Sequence, residues 1–122
     1  MKKNRSWPHS FRDAVSGIFV AAAKERNFRV QLIMAVLAVF ACVFFRVETW
    51  QFVLVAFAII FVLAMELMNT AIEAVVDLQT NGEYHPLAKI AKDAAAGAVL
   101  LASAFALVVA AVVAVDVVRR FF

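Results

Sequence analysis

Cysteine, glycine and proline are nearly missing from this chain, and each scarcity closes off a class of protein. The one cysteine, Cys42, lies in the middle of an apolar run. It leaves no disulfide framework and no thiolate metal site, and reads as a small packing residue. The glycines are Gly17, Gly82 and Gly97. Neither a GxxxxGK[ST] loop nor a kinase-type glycine loop can be built from them, so any phosphate must be gripped by side chains and metal. Basic residues interleaved with aromatics on a soluble module are also lacking, which excludes nucleic acid as a partner. The first apolar stretch is broken by Arg12, Asp13, Lys24, Glu25 and Arg26, and no small-residue cleavage site follows it. The N-terminus therefore does not read as a cleavable signal peptide. There are no internal repeats and no low-complexity tail, and 122 residues make one domain, 1–122.

What is present is apolar. Hydrophobic residues make up 66% of the chain, more than a soluble core of this size could hide, so the chain belongs in a bilayer. The fold expected is all-α and integral to the membrane, with a surface helix over 6–26 and spans over 28–46, 50–77 and 86–117. In the surface helix Trp7, Phe11, Val15, Ile18 and Ala22 recur at three- and four-residue steps, while Arg12, Asp13, Ser16 and Lys24 take other faces. Ser6 is placed to cap it, with Pro8 tolerated in the first turn. Arg46, Val47 and Glu48 make a short turn that forces the first two spans into an antiparallel hairpin. Asn81-Gly82 is a turn signal, and Pro86 opens the third span. Lys2, Lys3, Arg5, Arg12, Lys24, Arg26, Arg29, Lys89 and Lys92 fall on one side of the membrane and Arg46, Arg119 and Arg120 on the other. This asymmetry puts the N-terminus in the cytoplasm and the C-terminus outside.

The second span carries the chemistry. Glu66, Asn69, Glu73 and Asp77 follow one another at steps of three, four and four residues, on one stripe of a helix. Carboxylates at membrane depth are costly and mark functional sites. Counted from the interfacial Trp50 at 1.5 Å per residue, Glu66 lies roughly 24 Å down and Glu73 about 35 Å down. Against a hydrocarbon core of about 30 Å, the stripe sits in the cytoplasmic leaflet and its headgroup layer. Glu25 and Arg29 mark the same level on the first span, and Glu83, Tyr84, His85, Lys92 and Asp93 mark it on the third. Water-soluble and lipid-soluble reactants meet in that layer. A channel or transporter would want polar groups through both leaflets, and the outer half has almost none.

The residue types fit phosphoryl transfer, which is mostly positioning and charge neutralisation. Glu25 and Glu73 can supply oxygen ligands to Mg²⁺, which neutralises polyphosphate oxygens. Lys92 offers a point charge for phosphate. Glu66, the deepest carboxylate, suits a general base taking a proton from a lipid hydroxyl. Singly, each has a bland alternative. An isolated Glu in a span can be a hydrogen-bonded packing residue, His85 a turn residue, Tyr84 an interface anchor and Lys89 a solvated charge.

The segment ELMNTAIEAVVDL, Glu66 to Leu78, strongly resembles the prokaryotic diacylglycerol kinase family, as do EYHPLAKIAKDAAAGAVL (Glu83 to Leu100) and KERNFRVQL (Lys24 to Leu32). HPLAKIAKDAAAGAVLL and ERNFR are more similar to the undecaprenol kinase branch of Gram-positive bacteria. The resemblance implies a homotrimeric integral-membrane lipid kinase of the bacterial inner membrane, using ATP and Mg²⁺. By it, Glu66 would be the catalytic base and bind substrate with Asn69, and Arg29 would sit near the lipid's reactive end. Glu25 and Glu73 would be the metal ligands. Glu83, Tyr84, His85, Lys92 and Asp93 would contact the nucleotide with Glu25 and Glu73, and Asp77 would support that region. Asp13 stands where the proteobacterial enzymes are expected to have a tyrosine, so no adenine contact is assigned to the surface helix. The substrate expected is undecaprenol, with diacylglycerol as the alternative. The rivals from other classes are an ion- or proton-conducting oligomer, and a non-catalytic assembly factor that keeps the fold.

Overall fold

The computed structural model describes residues 6–122, so Lys2, Lys3 and Arg5 of the charge asymmetry lie outside the described residues. Four helices follow one another: α1 (Trp7–Lys24), α2 (Arg26–Phe44), α3 (Thr49–Thr80) and α4 (Pro86–Phe121). The last three are long and apolar enough to cross a membrane. With α1 before them, this is the all-helical membrane architecture expected.

α1 begins at Ser6 with Pro8 in its first turn, yet the Ser6 hydroxyl does not cap the backbone. It hydrogen-bonds His9 Nδ1 at 2.6 Å instead. The helix buries only Ala21 and presents Trp7, Phe11 and Phe19 outwards. Glu25 alone separates α1 from α2, in an extended conformation with φ −103° and ψ 112°. The Arg29 guanidinium donates to the carbonyls of Ala22 at 3.1 Å and Ala23 at 2.9 Å, which satisfies open carbonyls at the end of α1.

The α2–α3 turn is tight because Arg46 takes the left-handed region (φ 52°) and Val47 N–H returns to the Cys42 carbonyl at 3.1 Å. Gln51, buried in the first turn of α3, accepts from Glu48 N–H at 3.0 Å through its amide oxygen. Its amide nitrogen donates to Asp116 of α4 at 2.8 Å. Arg120 donates to the carbonyls of Phe45 and Arg46 at 3.3 Å each. These bonds hold the end of α2, the start of α3 and the end of α4 level. The helices are of unequal length, 19, 32 and 36 residues. At 1.5 Å per residue, α3 and α4 therefore reach about 20 Å or more beyond α2 at the other end.

Small residues let the long helices approach. Ala58 and Ala102 are fully buried where α3 lies along α4, and Cys42, Val55, Val109, Val113 and Val117 complete the core toward the outer end. Cys42 is thus the packing residue expected. α3 ends where Asn81 and Gly82 take positive φ (54° and 77°) and Gly82 N–H closes onto Asp77 O at 3.1 Å. α4 then starts from His85, whose Nδ1 accepts Leu87 N–H at 3.1 Å, with Pro86 in the first turn.

Candidate active site

The stripe on α3 meets the start of α2 at the level where the hydrophobic run gives way. Glu66 is only 4% exposed. Its Oε2 accepts from Gln31 Nε2 of α2 at 3.5 Å, the long end of a hydrogen bond. One turn beyond Glu66, Asn69 Nδ2 donates to Glu73 Oε1 at 3.1 Å. The fold thus brings Gln31 of α2 to Glu66 and Asn69 to Glu73, with Glu25 at the joint before α2. Two buried acceptors in this group, Gln31 Oε1 and Asn69 Oδ1, have no partner. A buried polar atom left unpaired costs about 1–3 kcal/mol, so such atoms call for a donor brought by water or ligand.

Further along, Lys92 of α4 donates to Asp77 of α3 at 2.6 Å. Both side chains are substantially exposed, 40% and 54%, so a competing phosphate can exchange with the pair. Lys89 is not simply solvated: it pairs with Asp93 one turn on, at 2.5 Å. Glu83 and Tyr84 are exposed in the loop between α3 and α4. His85 is also exposed and works as the helix cap described above. Arg29 is turned onto the end of α1 rather than toward Glu66.

No group of three or more His, Cys, Asp or Glu side chains converges among the described residues. Mg²⁺ keeps several waters and is commonly held by one or two carboxylates plus substrate phosphates, a donor type that Glu25 and Glu73 carry.

Sequence reasoning passed over Gln31 as the one polar residue at the end of an otherwise apolar span. That isolation was the available signal, since a lone amide in an apolar run needs a polar partner. It also treated the outer half as almost free of polar groups, where Gln51, Asp116 and Arg120 form a connected set.

A model of the prokaryotic diacylglycerol kinase family matches residues 12–114. The chain belongs to that family. It is 45% identical over 100 residues to a diacylglycerol kinase of Synechocystis, covering 82% of this chain and 57% of that protein. An undecaprenol kinase of Bacillus subtilis is 45% identical over 93 residues, with 74% and 72% covered. A diacylglycerol kinase of Escherichia coli is 37% identical over 86 residues, 70% of each chain. The expectation of a membrane lipid kinase is therefore borne out at the level of the family, and family membership implies ATP as co-substrate. The two relatives at equal identity carry different substrate names, so identity does not separate the substrates.

Proposed function

We propose that the protein transfers the γ-phosphoryl group of ATP to the hydroxyl of a membrane lipid alcohol, undecaprenol, giving undecaprenyl phosphate and ADP. Glu66 takes the hydroxyl proton as the lipid oxygen attacks phosphorus and the bond to the β-phosphate oxygen breaks. Asn69 orients the Glu73 carboxylate and offers its free amide oxygen to the arriving hydroxyl or its water. Glu25 and Glu73 would hold Mg²⁺, which would neutralise charge on the polyphosphate. Lys92 leaves Asp77 for a phosphate oxygen, and Asp93 lies beside it on the nucleotide side, as Glu83, Tyr84 and His85 do in the loop. Arg29 braces the joint that carries Glu25.

The observation that carries this reading is the burial of Glu66 at the head of a polar stripe that grows steadily more exposed. A lipid hydroxyl reaches such a carboxylate from the bilayer and a nucleotide reaches the other end from water. The charge asymmetry supports a cytoplasmic N-terminus and site in a bacterial inner membrane. A homotrimer fits the outward-facing apolar surfaces of α2 and α4.

Diacylglycerol is the second reading, favoured by the Synechocystis and E. coli relatives. The test is transfer of labelled phosphate from Mg·ATP to each alcohol in matched bilayers, with Glu66→Gln as control. Preference for undecaprenol that the substitution abolishes supports the proposal. Preference for diacylglycerol keeps the mechanism and replaces the substrate. No transfer to either, alongside ATP-independent ion flux in vesicles, points to the ion-conducting rival.

A further inference from the structure

We infer that the end of the bundle remote from Glu66 binds a bilayer phospholipid whose headgroup carries a primary ammonium beside its phosphate. A cavity of about 410 Å³ opens where the start of α3 lies beside the last turns of α4. Ala111, Val112 and Val115 of α4 line one part of it, and Asp116 and Arg119 the other, with Trp50 contributed by α3. The Trp50 ring is tethered by its N–H, which donates to Glu48 at 2.8 Å. Gln51 also borders the cavity, and its 2.8 Å bond to Asp116 fixes the two helices relative to each other there. From Ala111 to Arg119 is about 12 Å along the helix. Methyl groups mark one end of that distance and a guanidinium the other, which is the polarity of a lipid's glycerol region beneath its headgroup. Arg119 follows the apolar run of a membrane-length helix, so the charged end falls at headgroup level.

Charge complementarity selects the occupant. The two neighbouring arginines are used differently. Arg120 is committed to the carbonyls of Phe45 and Arg46, and its guanidinium lies 5.5 Å from the centre of the Phe121 ring. Arg119 has no hydrogen-bond or ion-pair partner among the described residues, which leaves its fork of donors to a phosphate. On Asp116, Oδ2 accepts from Gln51 and faces Arg120 at 3.9 Å, while Oδ1 is left for another donor. Asp116 and Arg119 are three residues apart, so their Cβ atoms are about 5–6 Å from one another. An anion site and a cation site that close fit a zwitterion whose ammonium is two carbons from its phosphate ester oxygen. A purely anionic headgroup would meet the Asp116 carboxylate, and a quaternary ammonium has no N–H to give it. The glycerol and first acyl carbons then lie over Ala111, Val112 and Val115 beside Trp50, a residue that settles at membrane interfaces. The lipid braces α3 against α4 about 22 Å along α3 from Glu66 and touches none of the residues proposed for phosphoryl transfer.

The test uses the full chain in bilayers doped with one of three phospholipids that carry a photoreactive diazirine beside the glycerol. These are phosphatidylethanolamine, its trimethylated counterpart phosphatidylcholine, and the anionic phosphatidylglycerol. Phosphatidylethanolamine should label Val112 and Val115 about tenfold more than the other two, the step expected from one charge-assisted hydrogen bond. Asp116→Asn, which keeps an acceptor oxygen for Gln51, should erase that preference. Arg119→Gln should lower labelling by all three lipids, and Arg119→Lys should restore part of it. Ala111→Phe, which fills the apolar part of the cavity, should abolish labelling. Ala114→Phe, exposed on the same helix and outside the cavity, should leave it unchanged. Equal labelling by the three lipids would overturn the inference. So would labelling displaced by inorganic phosphate, which would make the cavity a site for free anions. A smaller assembly on Ala111→Phe would overturn it too, by making the cavity a subunit contact. The readout needs no phosphate transfer, so it stands or falls apart from the kinase reading.

Discussion

Replacing Gln51 with Met should weaken the fold while leaving the chemistry intact. Gln51 is 1% exposed and bridges the N-terminal turn of α3 to Asp116 near the end of α4. Met keeps the side-chain volume and removes both hydrogen bonds. A hydrogen bond to a charged group is worth about 1.5–3 kcal/mol and one to a backbone N–H about 0.5–1.5 kcal/mol. Asp116 keeps 41% of its side chain exposed and has Arg120 at 3.9 Å, so water and that guanidinium recover part of the loss. Glu48 is exposed and its N–H can turn to water as well. The expected net loss is about 1–2 kcal/mol. Gln51 lies about 22 Å along α3 from Glu66, beyond the range over which such a change reaches the site. The assay is reversible unfolding in mixed micelles, with phosphate transfer measured on the folded fraction. An Asp116→Ala and Gln51→Met double-mutant cycle would isolate the bond itself. Unchanged stability, or a lower rate in protein that is still folded, would refute this account of the outer end.

Three further outcomes are expected. Glu66→Gln should lower the transfer rate by about a hundredfold to ten-thousandfold with ATP binding retained, since only proton abstraction is lost; single-turnover kinetics separates the two. Gln31→Leu should leave KM for ATP unchanged and lower the rate for the lipid, and Gln31→Asn should not restore it, because the shorter amide cannot reach Glu66 from α2. His85→Ala should destabilise the protein by about 1 kcal/mol through loss of the α4 cap. His85→Asn, a good capping residue, should recover that stability; if it also recovers KM for ATP, the imidazole makes no nucleotide contact.

How much was legible in the sequence depended on how local each cause is. The stripe from Glu66 to Asp77 could be seen because helical periodicity alone aligns it. The turn at Asn81-Gly82 was equally visible, since positive φ restricts residue choice. Cys42 was placed correctly from the apolar run around it. The Gln31–Glu66 contact could not be seen, for it joins residues 35 positions apart and requires the rotation of α2 against α3. The outer set was hidden for the same reason, Gln51 and Asp116 being 65 positions apart. Ser6 was expected to cap α1 from residue type, but His9 one turn on captures its hydroxyl. His85 illustrates the reverse: a residue singled out for chemistry whose side chain is committed to a helix start.

Glu25 is the lone extended residue between α1 and α2, and that gives the bilayer itself a lever on the enzyme. α1 presents exposed rings, and α2 is the shortest of the three membrane-length helices. At 19 residues α2 is about 28 Å long, so a thicker hydrocarbon core must thin around it or draw its ends inward. Drawing α2 inward against α1 would bend the chain at its joint, and the carboxylate at that joint is a proposed metal ligand. Membrane thickness would thus act as an input to catalysis, and rates measured in thin and thick lipid would differ even when substrate and nucleotide are matched.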